Sequence, residues 1–205
     1  MLPANDKLLI CPFCKGEKPV LQLMSGNTIG ATQRSDLKTN YPMLPKPSFV
    51  QHCPHCGKYY FITDAETKES SLMSEDLGEL SYKETTEALL QLTSEPLDRQ
   101  NEINLRLLFI QAYNTTFQLA GVDNQPIPTD EERSFFREQV ERLLAIWETK
   151  PIVKAEFLRE TGQFDECIEI LNSVKTNNSF MSQLITGIRS AAKFKSTKVF
   201  IITPQ

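Results

Sequence analysis

The chain has 205 residues, with 40% apolar and 23% charged side chains and a formal net charge of −4. This balance excludes wholesale disorder and collagen-like repeats, and the length suggests one or two domains. The unbroken aliphatic or aromatic runs, such as Leu107–Ile110 and Val199–Ile202, reach only four or five residues, against the ~20 that a membrane-spanning helix requires. Asp6 interrupts an N-terminal stretch that lacks the apolar run of a signal peptide, so an intracellular, cytoplasmic chain without membrane contact is expected.

Composition changes along the chain. Seven of the twelve prolines, four of the five cysteines and both histidines precede residue 58. Residues 1–64 carry seven basic and four acidic side chains, and residues 65–205 carry fifteen and twenty-two. The shift predicts an N-terminal domain over 1–64, an acidic linker over 65–80 and a second domain over 81–205. The overall acidity argues against a chain whose main work is gripping a phosphate backbone.

The strongest signal is a pair of short motifs, Cys11-Pro12-Phe13-Cys14 and Cys53-Pro54-His55-Cys56. Each sets two thiols in one turn, so that both sulfurs can face one ion. Together they supply four thiolates, the full tetrahedral shell that zinc prefers, and leave no open position at which water could be activated. One structural Zn2+ on Cys11, Cys14, Cys53 and Cys56 is therefore expected. The 38-residue spacer between Cys14 and Cys53 is long, but doubling a loop adds only about 0.6 kcal/mol of closure entropy. A Cys-x-x-Cys redox site would require a long helix after the motif, whereas Tyr59-Tyr60-Phe61-Ile62-Thr63 reads as a strand. A disulfide pair does not suit a reducing compartment. With four cysteines present, His52 and His55 are expected to be spectators, and Cys167 a small core residue. Lys15 and Lys58 are candidate charge partners for the four sulfurs. Lys15 occupies a position where glycine would ease a left-handed backbone.

Cys53-Pro54-His55-Cys56-Gly57 and Cys11-Pro12-Phe13-Cys14 resemble the knuckles of the zinc-ribbon group. The flanks fit the hairpins this implies. Leu8–Ile10 and Ser48–Val50 would lead into the knuckles, and Val20–Met24 and Tyr59–Thr63 would leave them, in one small antiparallel sheet. A module of about 60 residues buries little apolar surface, so the metal would supply much of its folding energy. The spacer, with Tyr41-Pro42-Met43-Leu44-Pro45-Lys46-Pro47, is expected to be extended and packed over the ribbon, Met43 and Leu44 acting as plugs. Ser25-Gly26-Asn27-Thr28, Pro42-Met43-Leu44-Pro45 and the second knuckle together resemble uncharacterised bacterial proteins that join a zinc ribbon to a helical region.

The remainder reads as helices. Ser81-x-x-Glu84 is a capping box that opens a helix to about Glu95. Asp98 opens a long helix to about Leu119, apolar on more than one face and so expected to be buried. Asp130 is expected to cap a third, in which Phe136, Val140, Leu143, Leu144 and Trp147 make one stripe. Pro151 suits the first position of a fourth. Pro151–Val174 resembles one tetratricopeptide-type repeat in Ala155, Leu158, Gly162, Phe164, Cys167 and Leu171. That likeness implies two antiparallel helices touching at Ala155 and Cys167, with Gly162 in the turn. Ile152 and Glu156 stand where a carboxylate-binding repeat would have Lys and Asn. A last helix is expected over about 178–194, followed by a short strand or docking tail at Val199–Ile202. The expected fold class is α+β: a small antiparallel β zinc ribbon followed by an all-α, helical-hairpin (TPR-like) domain.

No P-loop, GxGxxG, HExxH or nucleophile elbow is present. The function expected is that of a zinc-binding, non-enzymatic adaptor whose helical region contacts an as yet unidentified protein partner. The second reading is a nucleic-acid-binding ribbon, with Arg34, Lys38, Lys46, Tyr41, Phe49, Tyr59 and Tyr60 as a basic and stacking surface.

Overall fold

The computed structural model describes residues 2–3, 7–21, 23–70 and 77–202. In chain order the strands are β1 Leu2–Pro3, β2 Lys7–Ile10, β3 Glu17–Val20, β4 Leu23–Ser25, β5 Thr32–Arg34, β6 Thr39–Asn40, β7 Val50–His52, β8 Tyr59–Phe61 and β9 Glu66–Glu69. The helices α1 Tyr82–Leu92, α2 Arg99–Phe117, α3 Asp130–Ile146, α4 Pro151–Glu160, α5 Phe164–Ser173 and α6 Ser179–Lys193 follow, then β10 Ile201–Ile202. The class is α+β, with small antiparallel sheets in the N-terminal part and a helical region after them.

Two compact units divide the chain. One comprises residues 1–31 with 40–98, the other residues 32–39 with 99–205. Residues 32–39 therefore group with the later helices and α1 groups with the strands, whereas the composition shift points to 1–64 and 81–205.

In the strand unit, β2 is the centre of a three-stranded antiparallel sheet in the order β3-β2-β9. The hairpins β2–β3 and β7–β8 belong to separate sheets, where the sequence suggests one. Within the acidic segment that reads as a linker, Glu66–Glu69 forms β9 in register with β2, Leu9 opposite Thr67. Residues 71–76 of that segment lie outside the described residues. The return strand of the first hairpin is Glu17–Val20, earlier than the expected Val20–Met24. Helix α1 begins at the predicted capping box: Ser81 Oγ accepts the Glu84 N–H, and Glu84 accepts the Ser81 N–H. It is fastened to β8 by Gln91, which accepts the Tyr59 N–H at 3.1 Å and donates to the Tyr59 carbonyl at 2.9 Å. These bonds satisfy backbone groups of a strand that pairs with β7 alone. Burial, then the nearby Glu87, pushes the Tyr59 hydroxyl up to about 12, and that hydroxyl donates to Glu87 at 2.9 Å.

In the helical unit, α2 buries Ile103, Leu105, Phe109, Ile110 and Tyr113, and α3 buries Phe136, Val140 and Leu143. The N-cap of α3 is Thr129, not Asp130. Thr129 forms a capping box with Glu132, and Asp130 takes the first helical position. Helices α4, α5 and α6 share a core containing Ala155, Leu158, Cys167, Leu171, Leu184 and Ile188. Gly162 closes the α4–α5 turn at φ 85, a left-handed conformation that costs other residues more. The C-terminal segment docks on this unit. The Val199 N–H donates to the Gln118 carbonyl at 2.7 Å, and β10 pairs antiparallel with β5. Residues 203–205 lie outside the described residues.

Candidate metal centre

Each Cys-x-x-Cys motif occupies the loop of a hairpin, the first between β2 and β3 and the second between β7 and β8. The two loops repeat the same backbone bonds. The Cys11 N–H donates to the Gly16 carbonyl and the Lys15 N–H to the Cys11 carbonyl. The Cys53 N–H donates to the Lys58 carbonyl and the Gly57 N–H to the Cys53 carbonyl, all at 2.9–3.0 Å. This geometry requires a left-handed residue directly after the second cysteine. Gly57 supplies it at φ 70, and Lys15 adopts it at φ 61. Gly16 meets a different constraint, because a Cβ there would lie 2.4 Å from the His55 ring.

The loops bring Cys11, Cys14, Cys53 and Cys56 together, all four sulfurs lying within 4.8 Å of one another. Cys11 Sγ is 3.8 Å from Cys56 Sγ, and Cys14 Sγ is 3.6 Å from Cys53 Sγ. All four thiols are free. Their separations are far beyond a sulfur–sulfur bond of ~2.05 Å. Cys11 and Cys53 are buried and Cys14 and Cys56 exposed, so the cluster lies at the edge of its unit. The Gly16 N–H points at Cys14 Sγ at 3.4 Å. It lowers the Cys14 thiol, while burial and the neighbouring Cys53 thiol raise it, and the net direction is up. A metal ion bound by cysteines displaces the proton of each thiol that it holds. The arrangement could hold a single metal ion, and among the described residues it is the one group of its kind.

The histidines stand apart from the sulfurs. His55 Nε2 lies 3.0 Å from the Glu17 carbonyl, and the His52 ring packs on Tyr59 at 4.8 Å. Neither lysine beside the cysteines contacts sulfur. Lys15 pairs with Glu66 at 3.9 Å, and Lys58 lies over the Phe13 ring at 4.6 Å. Tyr60 is buried against Cys11 and Cys53, and its hydroxyl has no partner among the described residues. Burial, then the charge of the four cysteines, pushes that hydroxyl up to about 12.

Three of the residues considered for a nucleic-acid surface are buried. Tyr59 and Tyr60 are 4% and 1% exposed, which hides their ring faces. Arg34 is buried and paired with Asp36. Cys167 is fully buried, and burial, then Glu156, raises its thiol to about 11, as suits an unreactive core residue.

The helical unit holds a buried polar cluster that no motif in the sequence announces. Asp36 accepts from Arg34 Nε at 3.0 Å and from Asn114 Nδ2 at 3.1 Å. Asn114 also donates to Glu160 at 2.9 Å. Arg159 grips Glu156 through Nε at 2.8 Å and a terminal nitrogen at 2.5 Å. Ile152 and Glu156 both point inward, and Glu156 is consumed by this ion pair.

No protein family, no curated protein and no solved structure matches this chain. Among the described residues no helix is long and apolar enough to cross a membrane.

Proposed function

We propose that this chain is a zinc-binding, non-enzymatic adaptor protein of a reducing, cytoplasmic compartment. One structural zinc on Cys11, Cys14, Cys53 and Cys56 closes the strand unit as a zinc ribbon, and the helical unit is a tetratricopeptide-like surface for a partner protein. The observation that carries the metal assignment is the four-sulfur geometry. With Zn–S near ~2.3 Å, a regular tetrahedron has sulfur–sulfur edges of ~3.8 Å, against 3.8 and 3.6 Å for two of the edges here. Four thiolates fill the coordination shell, so the ion folds the unit and activates no water. Thiolates select zinc, copper(I) or iron–sulfur clusters; zinc predicts a purified protein without visible absorption, and an absorbing protein would mean iron.

The repeat-like reading is supported by the α4–α5 hairpin, where Ala155 and Cys167 are both fully buried in one core and Gly162 turns left-handed. The adaptor reading is supported by the loss of three members of the candidate nucleic-acid surface. The test is a pull-down with the full, metal-loaded chain, followed by reconstitution from purified components. A stoichiometric complex is the expected result. Nucleic-acid binding that falls ~10³-fold or more between about 50 and 200 mM salt would replace this reading with the second one.

A further inference from the structure

Within the helical unit, α2, α3, the α4–α5 turn and the chain after α6 enclose a cavity of about 410 Å3. That volume falls in the ~300–1,000 Å3 range of small-molecule sites. Tyr113 and Phe136, stacked with ring centroids 4.0 Å apart, border it only by their edges, being 2% and 3% exposed. Four cations line the cavity: Arg133, Arg137, Lys195 and Lys198. Arg133 is engaged by Asp130 at 2.5 Å. The side chains of Arg137, Lys195 and Lys198 have no hydrogen-bond or ion-pair partner among the described residues. Three cations without a protein counter-charge around one cavity, in a chain of net charge −4, make a local field that favours an anion.

The one carboxyl among the lining residues is Glu160, only 2% exposed. Its Oε2 accepts from Asn114, but its Oε1 has no partner among the described residues. Asp36, Glu156 and Arg159 surround it on the interior side, and burial with the two carboxylates drives it well above the usual carboxylate range. Glu160 is among the residues that line the cavity, and a group bound there is the available partner for the buried Oε1. A buried carboxyl left half-satisfied costs free energy that an incoming hydrogen-bonding group recovers.

Lys195 adds a second cost. It closes α6 in a left-handed conformation, φ 52, where glycine is the default residue. Its own N–H donates to the Ala192 carbonyl and the Ser196 N–H to the Ala191 carbonyl, as the helix end requires whatever the side chain. A lysine in that position gives up local stability and gains a charge at the cavity.

We propose that this cavity binds a small organic phosphate with a hydrogen-bonding head group, of the size of a nucleoside monophosphate. The head group occupies the cavity beside the Glu160 carboxyl, and the phosphate sits among Arg137, Lys195 and Lys198. Three free cations match a dianion, whereas a single carboxylate would leave two of them without counter-charge. The site stands independently of the zinc and adaptor readings.

The test is calorimetric titration of the full, metal-loaded chain with AMP, GMP, CMP and UMP in turn, with the matching nucleosides and inorganic phosphate as separate arms. At least one nucleotide should bind with a Kd below about 1 mM, about tenfold or more tighter than its nucleoside and than phosphate. Lys198→Glu and Arg137→Glu, both exposed positions, should each weaken that binding about tenfold with an unchanged circular dichroism spectrum. Lys195→Gly should weaken binding while holding or raising the melting temperature, a split that structural damage cannot produce. Glu160→Gln should change the order of preference among the four nucleotides. The proposal fails if no nucleotide binds at about 5 mM, or if phosphate alone accounts for the affinity, an adventitious ion only. It also fails if the charge variants bind like wild type, if the Glu160→Gln order is unchanged, or if an acidic peptide such as polyglutamate occupies the site and the nucleotides do not.

Discussion

Asp36→Ala tests whether the short segment 32–39 is a working part of the helical unit. Asp36 is fully buried. Its carboxylate accepts from Arg34 through two guanidinium nitrogens, from Asn114 at 3.1 Å and from the Lys38 N–H at 3.3 Å. Alanine leaves the Arg34 guanidinium, whose side chain is 10% exposed, with Thr115 Oγ1 at 2.6 Å and the Gln111 carbonyl at 3.4 Å as its remaining acceptors. Removing one member of a buried ion pair costs ~3–5 kcal/mol, because the other charge stays behind. Asn114 keeps its bond to Glu160, so its share of the loss is near the ~1 kcal/mol of one neutral hydrogen bond or less. Relief of repulsion between Asp36 and Glu160 opposes the loss. The balance is about 3 kcal/mol, read as a lower urea midpoint of the helical transition at 222 nm with an unchanged slope. The double variant Arg34→Met with Asp36→Leu removes both charges and should fall within about 1 kcal/mol of wild type. A single-variant cost under about 1 kcal/mol would refute the reasoning, since an ion pair this buried cannot lose one partner so lightly.

Three further outcomes are expected. Glu160 binds its proton more tightly folded than unfolded, so its contribution to stability is full below the ordinary carboxylate value of 4.5 and is lost as pH rises through the higher folded value. The unfolding free energy, measured by urea denaturation against pH, should therefore fall across that window with a slope of at most about 1.4 kcal/mol per pH unit, and Glu160→Gln should flatten it. Gly57→Ala, whose Cβ meets nothing within 4 Å, isolates the backbone strain of the second knuckle and should cost about 1 kcal/mol, with Lys15→Gly gaining a similar amount in the first, both read from thermal melts of metal-loaded protein. Leu171→Ala, fully buried in the α4–α5–α6 core, should cost ~2–5 kcal/mol by urea denaturation, and a loss under about 1 kcal/mol would mean that core is not packed as described.

The parts of this structure legible in the sequence are those set by local chemistry. The twin Cys-Pro-x-Cys turns declare themselves by spacing, and even the oddity at Lys15 could be read, because the second knuckle shows what its backbone prefers. The helices announce their limits through Ser81, Pro151 and Gly162, each of which acts within one turn of its own position. Thr129 displaces Asp130 as a cap because both can accept the bond, and only the backbone geometry decides between them. The fate of residues 32–39 could not be read locally. Arg34 and Asp36 look like loop polar residues, and their burial is decided by Gln111, Asn114 and Thr115, some 80 positions on. For the same reason β9 is hidden in an acidic stretch. Glu66–Glu69 is exposed throughout, so its pairing with β2 rests on backbone bonds and leaves no apolar alternation to detect. No motif in the sequence marks the cavity cations Lys195 and Lys198.

Native mass spectrometry of the purified chain, prepared without added metal, tests the central claim most directly. The account predicts one zinc ion per chain, lost from Cys14→Ser and from Cys53→Ser, with the strand unit unfolding first in both. A metal-free chain that stays folded, or a mass about four hydrogens lighter from two disulfides among Cys11, Cys14, Cys53 and Cys56, would contradict it.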